Sequence, residues 1–121
     1  MSQMNVQDLK TRKCVPCEGG VPPVSHADAE RMLAELPGWS LTAGGQMIEK
    51  KWTVQDFLAG MDFLNRVAEL AEKDQHHPDV HLTGYRNVSI TLSTHAIGGL
   101  SENDFILAAK INDLPVSLKS A

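Results

Sequence analysis

Cysteine is scarce in this chain of 121 residues, occurring only at Cys14 and Cys17. No disulfide framework is needed, because a domain of this size buries well over half of the surface its unfolded chain exposes. Long apolar runs are lacking too, none approaching the roughly 20 residues of a membrane span. The first twenty residues, Met1 to Gly20, hold no continuous apolar core and do not read as a signal peptide. Positive charge is in deficit, the formal net charge being −4, so no nucleic-acid footprint is expected. Low-complexity tracts are absent, and the only internal repetition is a loose strand-strand-helix echo. Few thiols and no export signal point to a reducing compartment, for which the cytoplasm is the default. What remains is ordinary for one globular domain, with 42% hydrophobic and 21% charged residues.

Residues 1–24 carry mixed charges, two cysteines, Gly19-Gly20 and Pro22-Pro23, and read as an irregular arm. A domain over residues 25–121 follows. Ser25 with Asp28 three residues on signals a helix start, Met32, Leu33 and Leu36 share a face, and Pro37-Gly38 ends the helix. Trp39 to Leu41 and Gln46 to Trp52 read as strands joined by a turn at Gly44-Gly45. Thr53 with Asp56 repeats the capping pattern and opens the longest helix. Its apolar face is expected at Val54, Phe57, Leu58, Met61, Leu64, Val67, Ala68 and Ala71. That helix must end near His76-His77, since Pro78 pushes the residue before it out of helical angles. Val80 to Tyr85 and Asn87 to His95 read as strands; in the second, Val88, Ile90 and Leu92 alternate with Ser89, Thr91, Ser93 and His95. Ser101 with Asp104 caps a last helix through Phe105, Ile106 and Ala109, ending by Pro115. The order α-β-β-α-β-β-α predicts an α+β domain, a four-stranded antiparallel sheet with helices packed on one face.

Histidine carries the chemical signal. Four of the five histidines, His76, His77, His81 and His95, fall within twenty residues. His76 and His77 sit where the long helix gives way to a loop, and His95 stands at a strand end before Gly98-Gly99. Ends of rigid elements let side chains converge on a small molecule. Imidazole both donates and accepts protons near neutral pH. The bland explanations are also physical. Adjacent histidines at a helix C-terminus favour the negative end of its dipole, and His81 in a strand reads as a surface residue. Capping by itself accounts for Asp104, as it does for Asp28 and Asp56. Cys14-Val15-Pro16-Cys17 lacks the four ligands of a structural zinc site, with only His26 nearby, and precedes all regular structure, so it reads as a pair of reduced thiols. His77 and His81, four apart, have helical metal-ligand spacing, but Pro78 argues against a helix there. With His95 and Asp104 they would form at most an adventitious zinc or nickel site.

Taken together, Ala71-Glu72-Lys73 leading into His76-His77-Pro78, then Tyr85, Ile90 to His95, and Gly99 to Asp104 resemble the pterin-4a-carbinolamine dehydratases. The resemblance runs from about Ser25 to the end and is densest from Ala71 to Ala109; Trp39, Phe57 and Phe63 also suit it. It implies loss of water from a tetrahydropterin bearing a hydroxyl at ring carbon 4a, the product of an aromatic amino-acid hydroxylase. The quinonoid dihydropterin so formed is recycled by reduction. An acid must protonate the leaving hydroxide and a base must take a ring-nitrogen proton, so no redox cofactor and no metal is required. By the same resemblance His76 and His95 form the proton-transfer pair, His77 positions the substrate, and Asp104 orients a histidine. Glu72, Gln75, Ser93 and Thr94 line the pterin pocket with His77. Gln75 stands where animal members often carry aspartate and Val80 where they carry tryptophan, which bears on substrate affinity more than on the catalytic step. Family members form dimers or tetramers, and some bind a homeodomain transcription factor.

Two other classes of function remain open at this level. Relatives on this fold act as assembly factors for the carbon-fixing enzyme and tend to lose the active-site histidines, whereas this chain keeps His76, His77, His95 and Asp104. A metal-dependent hydrolase built on the histidine cluster would require stoichiometric metal in the purified protein.

Overall fold

The structure, a computed structural model, describes residues 23–120. The expected arm, with Cys14 and Cys17, lies outside these residues apart from Pro23 and Val24. Val24 N–H donates to the Leu100 carbonyl at 2.8 Å, tying the start of the described chain to the segment before the last helix.

Helix α1 (His26–Leu33) opens at Ser25, whose hydroxyl accepts from the Asp28 N–H at 3.2 Å. Strands β1 (Ser40–Thr42) and β2 (Met47–Thr53) pair antiparallel across a 3₁₀ turn at Ala43–Gly45. Helix α2 (Phe57–Asp74) precedes strands β3 (Asp79–Thr83) and β4 (Asn87–Leu92). A 3₁₀ turn at His95–Ile97 then leads to helix α3 (Glu102–Asn112). The sheet is antiparallel throughout, in the order β1-β2-β4-β3, with β4 inside and β3 on an edge. In β4 buried Val88, Ile90 and Leu92 alternate with half-buried Ser89 and Thr91, as the period-two pattern requires. The element order and the α+β class are those expected.

One core joins sheet and helices. Trp52 of β2 stands edge-on to Trp39 at 6.0 Å between ring centroids and tilts against Phe63 of α2 at 5.0 Å. Helix α3 is buried nearly all round, from Asn103 through Ala109 and again at Ile111, which marks it as a central element rather than an amphipathic cover. No helix among the described residues is long and apolar enough to cross a membrane.

Three local expectations need correction. Helix α2 is capped by Asp56 itself, whose carboxylate accepts from the Ala59 N–H at 2.8 Å, and not by Thr53. Val54 lies before the helix, buried in an isolated bridge to Leu118. The buried stripe of α2 runs Gly60, Phe63, Val67, Ala71 and Asp74, leaving Phe57, Leu58 and Met61 exposed and Ala68 at the surface. The helix carries two apolar stripes, and the one facing Trp52 and the sheet is the one covered. Gly60 is what lets α2 lie so close to β3, since a Cβ there would meet Leu82 Cδ1 at 3.1 Å. Finally, β3 ends at Thr83 and β4 at Leu92, so Tyr85 and His95 belong to turns and not to strand alternation.

Lys50 of β2 points into the helical layer. Its ammonium donates to Asn112 Oδ1 at 2.9 Å and lies 5.1 Å from the Trp52 ring centroid. The same Asn112 oxygen accepts from Trp39 Nε1 at 3.0 Å. Burial pulls the Lys50 pKa below the ordinary lysine value of 10.5, because a desolvated ammonium is costly.

Candidate active site

The reversal at the end of α2 sets the position of the histidines. Gln75 caps the helix in the left-handed region, at φ 54° and ψ 39°. The N–H groups of Gln75 and His76 return to carbonyls of the last turn, His76 N–H to Ala71 O at 3.2 Å. Chain direction thus changes at Gln75, one residue before His76 and two before the restricted residue His77 that precedes Pro78. This swings His76 toward the N-terminus of α3. There His76 Nε2 lies 2.6 Å from Asp104 Oδ1, with the histidine side chain 12% exposed and the aspartate fully buried.

Asp104 has its other oxygen engaged as well. Oδ2 accepts from the Ser101 N–H at 2.9 Å and from the Thr94 hydroxyl at 2.8 Å. Thr94 Oγ1 is also 2.6 Å from Ser101 Oγ. Because the Thr94 proton goes to Asp104, Ser101 is the donor in that contact, which gives a relay from Ser101 to Thr94 to Asp104. As a carboxylate Asp104 only accepts, so His76 must donate from Nε2. In the neutral ring Nδ1 is then the nitrogen that carries a lone pair. The aspartate therefore caps α3 with one oxygen and holds a histidine with the other.

His95 follows Thr94 directly. The backbone pairs Thr94 with Gly99 on both sides of the turn (Thr94 N–H to Gly99 O 2.8 Å), so His95–Ile97 forms a tight loop pinned at its base. His95 itself is exposed, at the same end of the molecule as the Thr94–Asp104–His76 chain. His77 is exposed and sits 2.5 Å from Glu72 Oε2, so Glu72 meets the second histidine rather than the first. Ser93 is half-buried, Gln75 is exposed, and Thr94 is buried with its hydroxyl engaged twice. His81 and Val80 lie exposed on edge strand β3. Among the described residues, no three His, Cys, Asp or Glu side chains converge as a metal-binding group. A separate groove lined by Lys50, Trp52, Asn112 and Lys119 sits at the opposite end of α3 from Asp104.

Sequence reasoning missed Ser101 as more than a cap. Its signal is the pair Thr94 and Ser101 flanking the Gly98-Gly99 turn, two hydroxyls that a closed loop brings together.

Known proteins share both the sequence and the fold. The family model for pterin 4 alpha carbinolamine dehydratase matches residues 22–114. The Arabidopsis thaliana protein named pterin-4-alpha-carbinolamine dehydratase 2, mitochondrial, is 47% identical over 115 residues, covering 93% of this chain but 62% of its own length. A relative from Halorhodospira halophila named for the same family is 46% identical over 106 residues, 88% of this chain and 96% of its own. Among solved structures, a transcriptional coactivator/pterin dehydratase from Brucella melitensis superposes with a TM-score of 0.70 at 31% identity, over 74% of this chain and 95% of that one. A pterin dehydratase-like protein identified as a RuBisCO assembly factor in the alpha-carboxysome superposes at a TM-score of 0.53 and 25% identity, over 62% of this chain and 86% of its own. By sequence match across most of its length and by a common fold, this chain belongs to the pterin 4 alpha carbinolamine dehydratase family.

Proposed function

We propose that this protein dehydrates a 4a-hydroxytetrahydropterin to the quinonoid dihydropterin by histidine general acid–base catalysis, as a step in tetrahydropterin recycling after an aromatic amino-acid hydroxylase. The observation that carries this reading is the fully buried Asp104 bonded to His76 at 2.6 Å. A carboxylate so placed stabilises the imidazolium that forms when His76 takes a proton, the requirement on a base. His76 Nδ1 removes the ring-nitrogen proton, and the electron pair of that N–H bond forms the new C=N bond. His95 protonates the 4a-hydroxyl, whose C–O bond breaks to release water. His77, steadied by Glu72, orients the pterin beside Gln75 and Ser93, and Thr94 acts through Asp104. None of these steps calls on a redox cofactor or a metal.

The domain assigned to this activity is residues 25–121, and the proposed compartment is the cytoplasm, although the Arabidopsis relative is named mitochondrial. The proposed assembly is a homodimer or homotetramer, supported by the exposed apolar side chains of Phe57, Leu58 and Met61 on α2.

The test is the rate at which freshly generated 4a-hydroxytetrahydropterin loses its ultraviolet absorbance. The protein accelerates that loss, and His76→Ala or His95→Ala lowers the enzymatic rate by roughly 10²–10⁴-fold while circular dichroism stays unchanged. Parental rates in both variants would remove the assignment. No acceleration by folded protein would favour a non-catalytic assembly role, the reading that the likeness to the carboxysome assembly factor supports.

A further inference from the structure

Asp74, the last residue of α2, is 3% exposed and continues the buried stripe of Phe63, Val67 and Ala71. A carboxylate is out of place on that stripe by hydrophobicity alone. It is met by Lys110 of α3, whose ammonium donates to Asp74 Oδ2 at 2.6 Å with the lysine side chain 19% exposed. Such a pair is a weak source of net stability. Desolvating two charges costs roughly what their attraction returns, and apolar replacements of similar volume are often neutral or stabilising. What the pair supplies is direction. An apolar contact tolerates sliding and rotation, whereas an ammonium held on a buried carboxylate admits few arrangements.

The position of the pair gives that direction a use. Lys110 lies six residues beyond Asp104 on α3, about 9 Å along the axis at a rise of ~1.5 Å per residue. Asp74 lies two residues before His76. The end of α2 is thus held to α3 at two points, Asp74 on Lys110 and His76 on Asp104, with left-handed Gln75 between them. One grip would leave the turn free to pivot. Two grips on either side of the reversal fix its rotation and its height along α3.

We propose that Asp74 and Lys110 are positioning residues that align His76 with Asp104. Neither touches the ligand; both act through the geometry of the turn. This rests on the reading of His76 as a proton-transfer residue, so the test includes a measurement that needs no turnover.

The experiment compares the parent with the double variant Asp74→Leu, Lys110→Met, and with Asp74→Glu, which keeps the charge pair. In the ligand-free protein, proton NMR reads the imidazole N–H that His76 shares with Asp104, identified by its absence in His76→Gln. Expected for the double variant are a melting temperature near that of the parent, an upfield move or broadening of that resonance, and a kcat lowered on the order of 10–100-fold with KM unchanged. Asp74→Glu retains the resonance and most of kcat. If the double variant does not fold, Asp74→Asn is read by the same resonance, since it keeps the shape and loses the charge. An unmoved resonance in a folded variant lacking the pair overturns the proposal. A parent that turns over no pterin leaves the resonance readable, so failure of the functional reading is distinguished from failure of this one.

Discussion

A buried carboxylate is costly unless its lone pairs are met, and Asp104 meets this with donors from three residues, His76, Thr94 and Ser101. Two of those donors belong to the chain segment that closes over the 3₁₀ turn, which is why the aspartate is rigid before any ligand arrives. Lys50 illustrates the opposite balance. Its ammonium is drawn into the helical layer with a neutral oxygen of Asn112 as acceptor, and desolvation lowers its folded-state pKa below 10.5. The unfolded chain then binds more protons than the folded one in the window between the lowered value and 10.5, so stability from this residue rises with pH across that window. Urea unfolding at several pH values should show the parent gaining on Lys50→Met as pH climbs toward 10.5, and the two running parallel near neutrality. Parallel curves throughout would mean that burial does not disfavour this charge.

At the level of elements, the end of α2 is the decisive joint. A residue other than glycine in the left-handed region carries a penalty of roughly 1–2 kcal/mol, and Gln75 holds that conformation with φ at 54°. Glycine removes the penalty at some cost in chain entropy. Gln75→Gly should therefore raise stability by about 0.5–1 kcal/mol in chemical denaturation. If Gln75 also contacts the pterin, as proposed, KM rises in the same variant while kcat holds. A loss of stability would show that the Gln75 side chain has a packing role that its exposure conceals. The sequence made the existence of this joint legible through Pro78, which predicts a helix end near His76-His77. It did not reveal that the turn is made by Gln75, because nothing in a glutamine announces positive φ. The rotation of α2 was illegible for a related reason. Phe57, Leu58 and Met61 share one helical face and Phe63, Val67 and Ala71 another, and periodicity cannot say which of two apolar faces meets the sheet.

For the whole molecule, the stripe left over has a consequence. Phe57, Leu58 and Met61 lie on solvent in the isolated chain, Leu58 being 68% exposed. Large side chains grouped this way are the usual substance of an interface between copies. Sedimentation should find the parent as a dimer or tetramer, and Leu58→Glu with Met61→Glu should shift it to a smaller species without loss of helix content. An unchanged mass would assign the assembly contact to another surface.

The sequence by itself determined the order of elements, the antiparallel α+β architecture and the residue types of the candidate site. Those follow from local causes: periodicity, serine and aspartate caps, glycine turns and one proline. It also carried the family, through His76-His77-Pro78, Ser93-Thr94-His95 and Asp104 taken as a set. Only the tertiary structure decided that Asp104 serves two elements at once, that Glu72 meets His77 and not His76, and that Asp74 finds Lys110. Each of these depends on how α2 is rotated and how far it slides along α3. Those are rigid-body variables, set by the packing of Trp52 on Phe63 and of Leu82 on Gly60.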